Sequence, residues 1–330
     1  MNYFQHYLAE EFVEDYEEGR LSRRQAIKML AKVTGSLVVA NSFLAACTRL
    51  PEDRVTPGTG LPVTGTTATQ PIFAAPSSSP AASQTPAGSP AADGTVSPDD
   101  PALQAGPVQF PGNAAATLQG YLARPKNGGP FAVVLVCHEN RGLTDSIRDI
   151  TRRFAQAGYA ALAVDLLSRK GGTRAFSFDE VPGELGNIPP EQFVQDFQSG
   201  LEYLKSQSFV RIQRVGMVGF CFGGGVTWKA AVNLPDLCAA VPFYGPPPPL
   251  EDLPKIQAAV LAIYGGNDTR ITQTAQAVEE AMQKNHKTFA KIIYPNADHA
   301  FFNHTGPRYN PEAAQDAWSK TLAWFQKYLV

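Results

Sequence analysis

The 330-residue sequence lacks several features that would point directly to a function class. None of its four cysteines stands in a Cys-x-x-Cys pair, which argues against a standard zinc or dithiol site. Its 28 lysines and arginines are balanced by 30 aspartates and glutamates, and no basic run longer than a pair occurs outside the N-terminal region. Because a nucleic-acid groove normally needs a basic stripe, we expect no nucleic-acid partner.

A long apolar run is absent as well. A transmembrane helix needs about 20 predominantly apolar residues, whereas the apolar stretch at residues 33–46 is short and is interrupted by polar residues such as Asn41. Arg23 and Arg24 precede this stretch, and Leu-Ala-Ala leads from it to Cys47. A basic patch, a short apolar segment and small residues at a cut site are the components of an export signal.

Two details of this segment resemble known signals. The paired arginines are similar to a twin-arginine signal, although Ala26 stands where that pattern has phenylalanine, and Leu-Ala-Ala-Cys is similar to a lipoprotein cleavage box with Cys47 as the lipid-bearing residue. We therefore predict that residues 1–50 are an export signal and that the protein is extracytoplasmic, either periplasmic or at the cell surface. It would meet a membrane only through this signal or through a lipid on Cys47. The alternative is an ordinary amphipathic N-terminal helix.

Residues 51–108 differ in composition from the rest of the chain. They are dominated by Pro, Ala, Thr, Ser and Gly, and Phe73 is their only aromatic residue. Such a segment buries too little apolar surface to offset the entropy of ordering it, and proline keeps it extended. We predict a disordered tether that holds the following domain away from a membrane surface. The alternative is a plain interdomain linker.

Residues 109–330 alternate between apolar runs and amphipathic segments. The runs FAVVLVC and AAVLAIYG are typical of strands buried on both faces, and helical patterns lie between such runs. Strands that alternate with helices predict an α/β domain with a mostly parallel sheet and helices on both of its faces. Right-handed crossovers then place the functional loops at the carboxyl ends of the strands.

The stretch RVGMVGFCFGGGV, residues 214–226, places Cys221 between a strand and a helix, with Gly219 and Gly223 two residues to either side. A nucleophile on such a turn has a strained backbone, and its neighbours must be small to avoid a clash. The N-terminus of the helix also favours the thiolate form of a cysteine. The alternative interpretation is that a small residue and glycines merely let the strand and the helix pack closely.

Two later loops strengthen the catalytic interpretation. Asp268 follows a buried strand in YGGND, and His299 lies in YPNADHAF after the last strand. The order nucleophile, acid, base is that of the α/β-hydrolase fold, in which the histidine accepts the nucleophile's proton and the acid orients the histidine. Taken separately, Asp268 also fits a helix cap and His299 a hydrogen-bonded loop residue.

These motifs resemble the dienelactone hydrolase family (carboxymethylenebutenolidases) over residues 109–330. GFCFGG is similar to the family's cysteine elbow. CHENRG places Glu139 at the glutamate that holds the resting cysteine, and AVDLLSR places Arg169 at an arginine that grips the substrate carboxylate. The resemblance also implies an oxyanion hole formed by the backbone N–H groups of Phe222 and Asn140, and such donors are the main stabilising device in acyl transfer.

One position departs from the family pattern. Asn303 replaces the family's second carboxylate-binding arginine, so that Arg308, Arg141 or Lys170 would have to take over its role for an anionic substrate. His138 stands at a strand end and is expected at or just behind the substrate pocket.

The sequence thus predicts an exported cysteine hydrolase of the α/β-hydrolase fold that cleaves small ester or lactone bonds. We expect a monomer that uses no cofactor and no metal ion, since His299 and His304 lack the spacing of a helical metal-binding pair. The alternatives are a broad carboxylesterase or thioesterase, a non-catalytic surface-tethered binding protein, and a redox role for Cys221.

Overall fold

The computed structural model describes residues 1–47 and 95–330. The predicted tether therefore lies outside the described residues as far as position 94. Its last part is folded, because the first strand begins at Leu103 rather than after the predicted boundary at position 109. This strand was not predicted because it contains Gly106 and Pro107, which are disfavoured in the interior of a sheet. Both residues are tolerated here because β1 lies at the edge of the sheet.

The segment predicted to be an export signal is helical. It contains α1 (Tyr3–Glu17), α2 (Arg23–Thr34) and α3 (Leu37–Cys47). The buried side chains of α1 and α2 join the core of the domain, whereas Leu37 and Val38 in the first turn of α3 are exposed. Among the described residues no single helix is long and apolar enough to cross a bilayer, although α2 and α3 together reach that length and composition as a pair bent by 120°. Export stays a prediction.

A sheet of eight strands runs through the domain. The strands are β1 (Leu103–Pro111), β2 (Thr117–Pro125), β3 (Phe131–Cys137), β4 (Ala160–Val164), β5 (Val210–Phe220), β6 (Leu237–Phe243), β7 (Ala259–Gly265) and β8 (Phe289–Tyr294). Their order is β1-β2-β4-β3-β5-β6-β7-β8; β1 and β2 are attached antiparallel, and all pairs from β4 to β8 are parallel. The apolar runs predicted as doubly buried strands are β3 and β7, and both are almost wholly buried.

Helices connect the strands and pack against the sheet. They are α4 (Asp145–Gln156), α5 (Val181–Gly186), α6 (Pro190–Lys205), α7 (Phe222–Asn233), α8 (Thr269–Thr272), α9 (Ala275–Lys284) and α10 (Pro311–Leu329), with 3₁₀ turns at Ser168–Lys170, Thr173–Ala175 and Leu250–Lys255. The predicted α/β-hydrolase fold, a mostly parallel sheet with surrounding helices, is confirmed. The loops after β3, β5, β7 and β8 all open at the carboxyl end of the parallel strands, and they carry the predicted site.

Candidate active site

The turn between β5 and α7 holds Cys221 in a strained conformation. Its φ is 57° and its ψ is −122°, a region that residues other than glycine rarely adopt. The backbone N–H of Cys221 donates to the carbonyl of Phe243 on the neighbouring strand at 3.1 Å, which helps to hold the turn. Strand, cysteine and helix therefore follow one another without a spacer, as the sequence predicted.

The glycines around Cys221 are required by the available space. A Cβ atom on Gly219 would overlap the carbonyl oxygen of Gly223, and a Cβ atom on Gly223 would overlap the carbonyl oxygen of His138. Close packing of strand and helix thus accounts for the glycines, but it gives no reason for the left-handed backbone of Cys221. That backbone is the feature typical of a nucleophile elbow.

Asp268 and His299 meet beside this turn. Asp268 lies three residues after β7, caps the N-terminus of α8 by accepting from the N–H of Ile271 at 3.4 Å, and accepts from His299 Nδ1 at 2.6 Å through its other oxygen. Both side chains are buried. The helix-cap interpretation of Asp268 and the interpretation as the partner of His299 are therefore compatible, since each uses a different carboxylate oxygen.

Asp268 makes His299 a stronger base. Burial lowers the pKa of His299, but the nearby Asp268 and Cys221 outweigh that effect and raise it well above its usual value. Burial raises the pKa of Asp268, but His299 and Arg270 outweigh it and hold that pKa below its usual value. Such an imidazole, with Nδ1–H bound to a carboxylate, leaves Nε2 free for proton transfer, and a ring nitrogen of His299 lies within 4.8 Å of the Cys221 sulfur.

Two further loop residues lie where an oxyanion would form. Phe222 is the first residue of α7, and the first N–H groups of a helix have no partner within the helix. Asn140 follows β3 in the loop that faces the same turn, and its side-chain amide donates to Glu11 at 2.9 Å. The predicted oxyanion hole uses backbone groups of these two buried residues.

Glu139 differs from its predicted role. The sequence resemblance implied that it holds the resting cysteine, but its carboxylate instead accepts a hydrogen bond of 2.8 Å from the side-chain amide of Asn303. The carboxylate that contacts the Cys221 sulfur is that of Glu11, at 3.5 and 3.6 Å. The pKa of Glu139 is raised to about 7, chiefly by burial and also by Glu11, which together outweigh the lowering by His299 and Asn303.

The side chains of Arg169 and His138 form hydrogen bonds with residues other than the triad. The guanidinium of Arg169 donates to Asp196 in α6 and to Asn113 in the turn between β1 and β2. His138 is fully buried, with Nδ1 2.7 Å from the carbonyl of Glu139 and Nε2 accepting from the backbone N–H of Leu166 at 3.2 Å. The two predictions of substrate contact stay predictions, with both side chains hydrogen-bonded within the protein. Their hydrogen bonds connect neighbouring loops and helices of the domain.

Two of the three candidate replacements for the missing arginine do lie near the site. Arg308 and Arg141 are close enough to interact electrostatically with Cys221 and Glu11. Lys170 instead forms an ion pair of 2.7 Å with Glu184. Positive charge around the nucleophile therefore comes from the loops after β3 and β8.

Comparison with known proteins assigns the chain to one family. A model of the dienelactone hydrolase family matches residues 118–329. The chain belongs to the dienelactone hydrolase family. Provisionally named carboxymethylenebutenolidases from Methylorubrum extorquens and Escherichia coli K12 are each 34% identical, covering 73% and 74% of this chain and 87% and 94% of their own lengths. This membership makes the chain a hydrolase that acts on carboxylic ester bonds, as predicted.

Solved structures give the same result. A provisionally named dienelactone hydrolase from Klebsiella pneumoniae superposes with a TM-score of 0.65 at 33% identity, covering 69% of this chain and all of that chain. A dienelactone hydrolase-like promiscuous phosphotriesterase from metagenomic libraries superposes with a TM-score of 0.59 at 26% identity over the same shares. Each of these two solved chains is thus matched over its whole length by part of the present chain.

Sequence reasoning missed two residues of this dienelactone hydrolase family member that touch the candidate nucleophile, Tyr7 and Glu11 of α1. The Tyr7 hydroxyl donates to the Cys221 sulfur at 3.4 Å and lies 3.4 Å from His299 Nε2. The acidic sequence EEFVEDYEE, which contains Glu11 and is unusual for an export signal, is the signal that could have pointed to this helix.

The same cluster contains the potential metal ligands of the site. One ligand atom each from Glu11, Cys221 and His299 lies within 4.8 Å of the others. In this structure these atoms are engaged in hydrogen bonding with Tyr7, Asn140 and one another. That pattern is typical of a proton-transfer site. A cavity of about 740 Å³ is lined by Tyr3, Tyr7 and Arg270, and of these Tyr7 contacts the cluster.

Proposed function

We propose that this chain is a cysteine hydrolase of small esters or lactones, with Cys221 as nucleophile, His299 as general base and Asp268 as the group that orients His299. The observation that carries the proposal is the buried 2.6 Å contact between Asp268 Oδ2 and His299 Nδ1, in an imidazole with a ring nitrogen within 4.8 Å of the Cys221 sulfur. An acid in this position fixes the tautomer of the base and stabilises the imidazolium.

The reaction then proceeds in two acyl-transfer steps. His299 Nε2 takes the thiol proton, the Cys221 sulfur attacks the carbonyl carbon of the substrate, and the N–H groups of Phe222 and Asn140 donate to the oxyanion. Collapse of the tetrahedral intermediate breaks the bond to the alcohol oxygen, which receives the proton from His299. Water then attacks the thioester, with its proton passing to His299, and releases the carboxylic acid and the free thiol.

The surroundings of the nucleophile also support a second candidate, a broad carboxylesterase without a preference for anionic lactones. Arg169 is bound to Asp196, and the uncharged Asn303 is bound to Glu139. Of Arg169, Arg308 and Arg141, only the last two are near enough to the sulfur to interact with it electrostatically and so to bind a substrate carboxylate. A neutral ester makes no such demand on the site.

Turnover by the whole chain tests both candidates. The substrates are p-nitrophenyl esters, cis- and trans-dienelactone and simple lactones. We expect Cys221→Ala to lower turnover by roughly 10⁴-fold or more, whereas Cys238→Ala, which removes a half-buried thiol remote from the triad, leaves it unchanged. Full turnover in Cys221→Ala would contradict the cysteine mechanism. A preference for dienelactones over neutral esters favours the first candidate, and its absence favours the second.

We further propose that the protein is exported as a monomer and held at a membrane only by its leader or by a lipid on Cys47. Arg23 and Arg24 are exposed in the first turn of α2, and Leu-Ala-Ala-Cys ends α3. The test is fractionation of cells that express the chain. Replacing both arginines by lysine should retain the protein in the cytoplasm, and Cys47→Ala should release exported protein from the membrane fraction. Unchanged fractionation of both variants would remove the proposal.

A further inference from the structure

The helix α1 lies directly over the candidate nucleophile. Tyr7 donates to the Cys221 sulfur, and Glu11 accepts from the thiol through both carboxylate oxygens. Tyr7, Glu11 and Cys221 are only 3%, 4% and 3% exposed. Two side chains of α1 therefore fill the space in front of the sulfur. The carbonyl carbon of a substrate must enter that space.

Apolar packing anchors α1 in this position. Phe4 is fully buried, and its ring contacts those of Phe193 and Phe222 at centroid distances of 5.4 and 4.9 Å. Phe222 is the residue that follows the nucleophile. At the start of α1, the side chain of Asn2 donates to the carbonyl of Gly186 at 3.0 Å. The first turn of α1 is thus attached both to the elbow helix and to α5.

Complementary charge anchors the rest of α1. Glu14 pairs with Arg270 at 3.2 Å, and Asp15 lies 3.8 Å from Arg308. The guanidinium of Arg270 also lies over the ring of Tyr7, at 4.6 Å from its centroid. The acidic residues that are unusual for an export signal therefore face arginines that surround the site.

We propose that α1 is an intramolecular inhibitor of this hydrolase, which blocks the acyl position with Tyr7 and Glu11 until the leader is displaced or removed. The proposal rests on the cysteine-hydrolase function proposed above. It concerns a segment outside residues 118–329, which the family model matches. A cut before Cys47, as the proposed signal implies, would separate α1 from the domain and open the site.

The docked helix also acts on the reactivity of the thiol. Burial raises the pKa of Cys221, and the carboxylate of Glu11 raises it further; Glu139 acts in the same direction, and His299 opposes them. Burial and the neighbouring Cys221 and Glu11 raise the pKa of Tyr7 as well, so that it stays a hydrogen-bond donor. Removing α1 admits water and deletes one anion, so the thiolate forms at lower pH.

Alkylation of Cys221 in the full-length chain measures the block without any substrate. Iodoacetamide incorporation at Cys221 is followed by peptide mass spectrometry between pH 6 and 10 in wild type, Phe4→Asp, Glu11→Gln and Glu17→Gln. Phe4→Asp removes the apolar anchor, Glu11→Gln preserves the shape of the block and removes its charge, and Glu17→Gln makes the same charge change at an exposed position of the same helix. Thermal unfolding establishes that each variant is folded.

We expect Phe4→Asp and Glu11→Gln to speed labelling of Cys221 by about tenfold or more near neutral pH, since a shift of one pKa unit is a tenfold change in thiolate. Glu17→Gln should match wild type, and ester turnover should rise in Phe4→Asp, in which α1 loses its apolar anchor. Unchanged or slower labelling in Glu11→Gln and Phe4→Asp would overturn the inhibitor. Faster labelling without ester turnover in wild type or any variant would support the shielding of Cys221 by α1 and would contradict the proposed hydrolase function.

Discussion

Arg169 donates two hydrogen bonds, of 3.1 and 2.9 Å, to one carboxylate oxygen of Asp196. Asp196 is fully buried in α6, and burial raises its pKa while Arg169 opposes that rise. A third donor of Arg169 reaches the carbonyl of Asn113 between β1 and β2. One side chain thus links the antiparallel edge of the sheet to α6.

Arg169→Ala should therefore destabilise the protein without changing its substrate preference. Removing the partner of a buried charge costs about 3–5 kcal/mol, whereas Lys229→Ala, which breaks the more exposed pair with Glu191, should cost no more than about 1 kcal/mol. Urea unfolding gives the stabilities. Turnover per folded molecule should fall equally for carboxylate-bearing lactones and neutral esters. A selective loss on the anionic substrate would restore Arg169 to the site.

The turn at Cys221 gives a second prediction. A Cβ atom at Gly223 would overlap the backbone carbonyls of Cys137 and His138, neither of which is the end of a flexible side chain. Gly223→Ala should therefore lower the free energy of unfolding by more than about 3 kcal/mol or prevent folding. Gly106→Ala, where a Cβ atom meets nothing within 4 Å, is the matched control and should be harmless. Equal unfolding midpoints for both variants would show that the turn can relax.

Asp268→Asn separates the catalytic use of Asp268 from its use as a helix cap. Asparagine still accepts from the N–H of Ile271, so the cap is retained, but the contact with His299 Nδ1 no longer fixes the required tautomer. We expect kcat on a p-nitrophenyl ester to fall about 10⁴-fold with little change in melting temperature. Asp298→Asn changes a carboxylate in the loop of His299 that binds only the exposed Asn267 side chain among the hydrogen bonds described, and it should retain activity. Similar losses in both variants would contradict the assignment.

The framework and three site residues could be predicted because their signals are local. Doubly buried strands read as continuous apolar runs; Cys221 follows β5 directly, and Asp268 and His299 lie in the short loops after β7 and β8. Parallel strands bring their carboxyl ends together, so local position was enough to place the three side chains near one another.

The remaining contacts could not be predicted because they join distant parts of the chain. Tyr7 and Cys221 are 214 positions apart, and no local pattern marks Tyr7 as a residue of the site. Arg169 and Glu139 were assigned roles through family resemblance, which carries over residue types but not partners. In this chain the partners are Asp196 and Asn303, and they change what both residues do.

Glu139 provides the last prediction, on the pH dependence of stability. Its pKa in the folded protein is about 7, raised chiefly by burial, against an ordinary value of 4.5. Between these pH values the folded state holds a proton that the unfolded state has lost, so this group stabilises the fold at low pH and that contribution disappears as pH rises through 7. Glu139→Gln keeps an oxygen for the amide of Asn303 and cannot titrate. Urea unfolding from pH 4.5 to 7.5 should therefore show wild type losing up to about 3 kcal/mol more than the variant. Glu251→Gln, at an exposed carboxylate, should follow wild type throughout. A difference between wild type and Glu139→Gln that stays constant with pH would mean that Glu139 is ionised across the whole range.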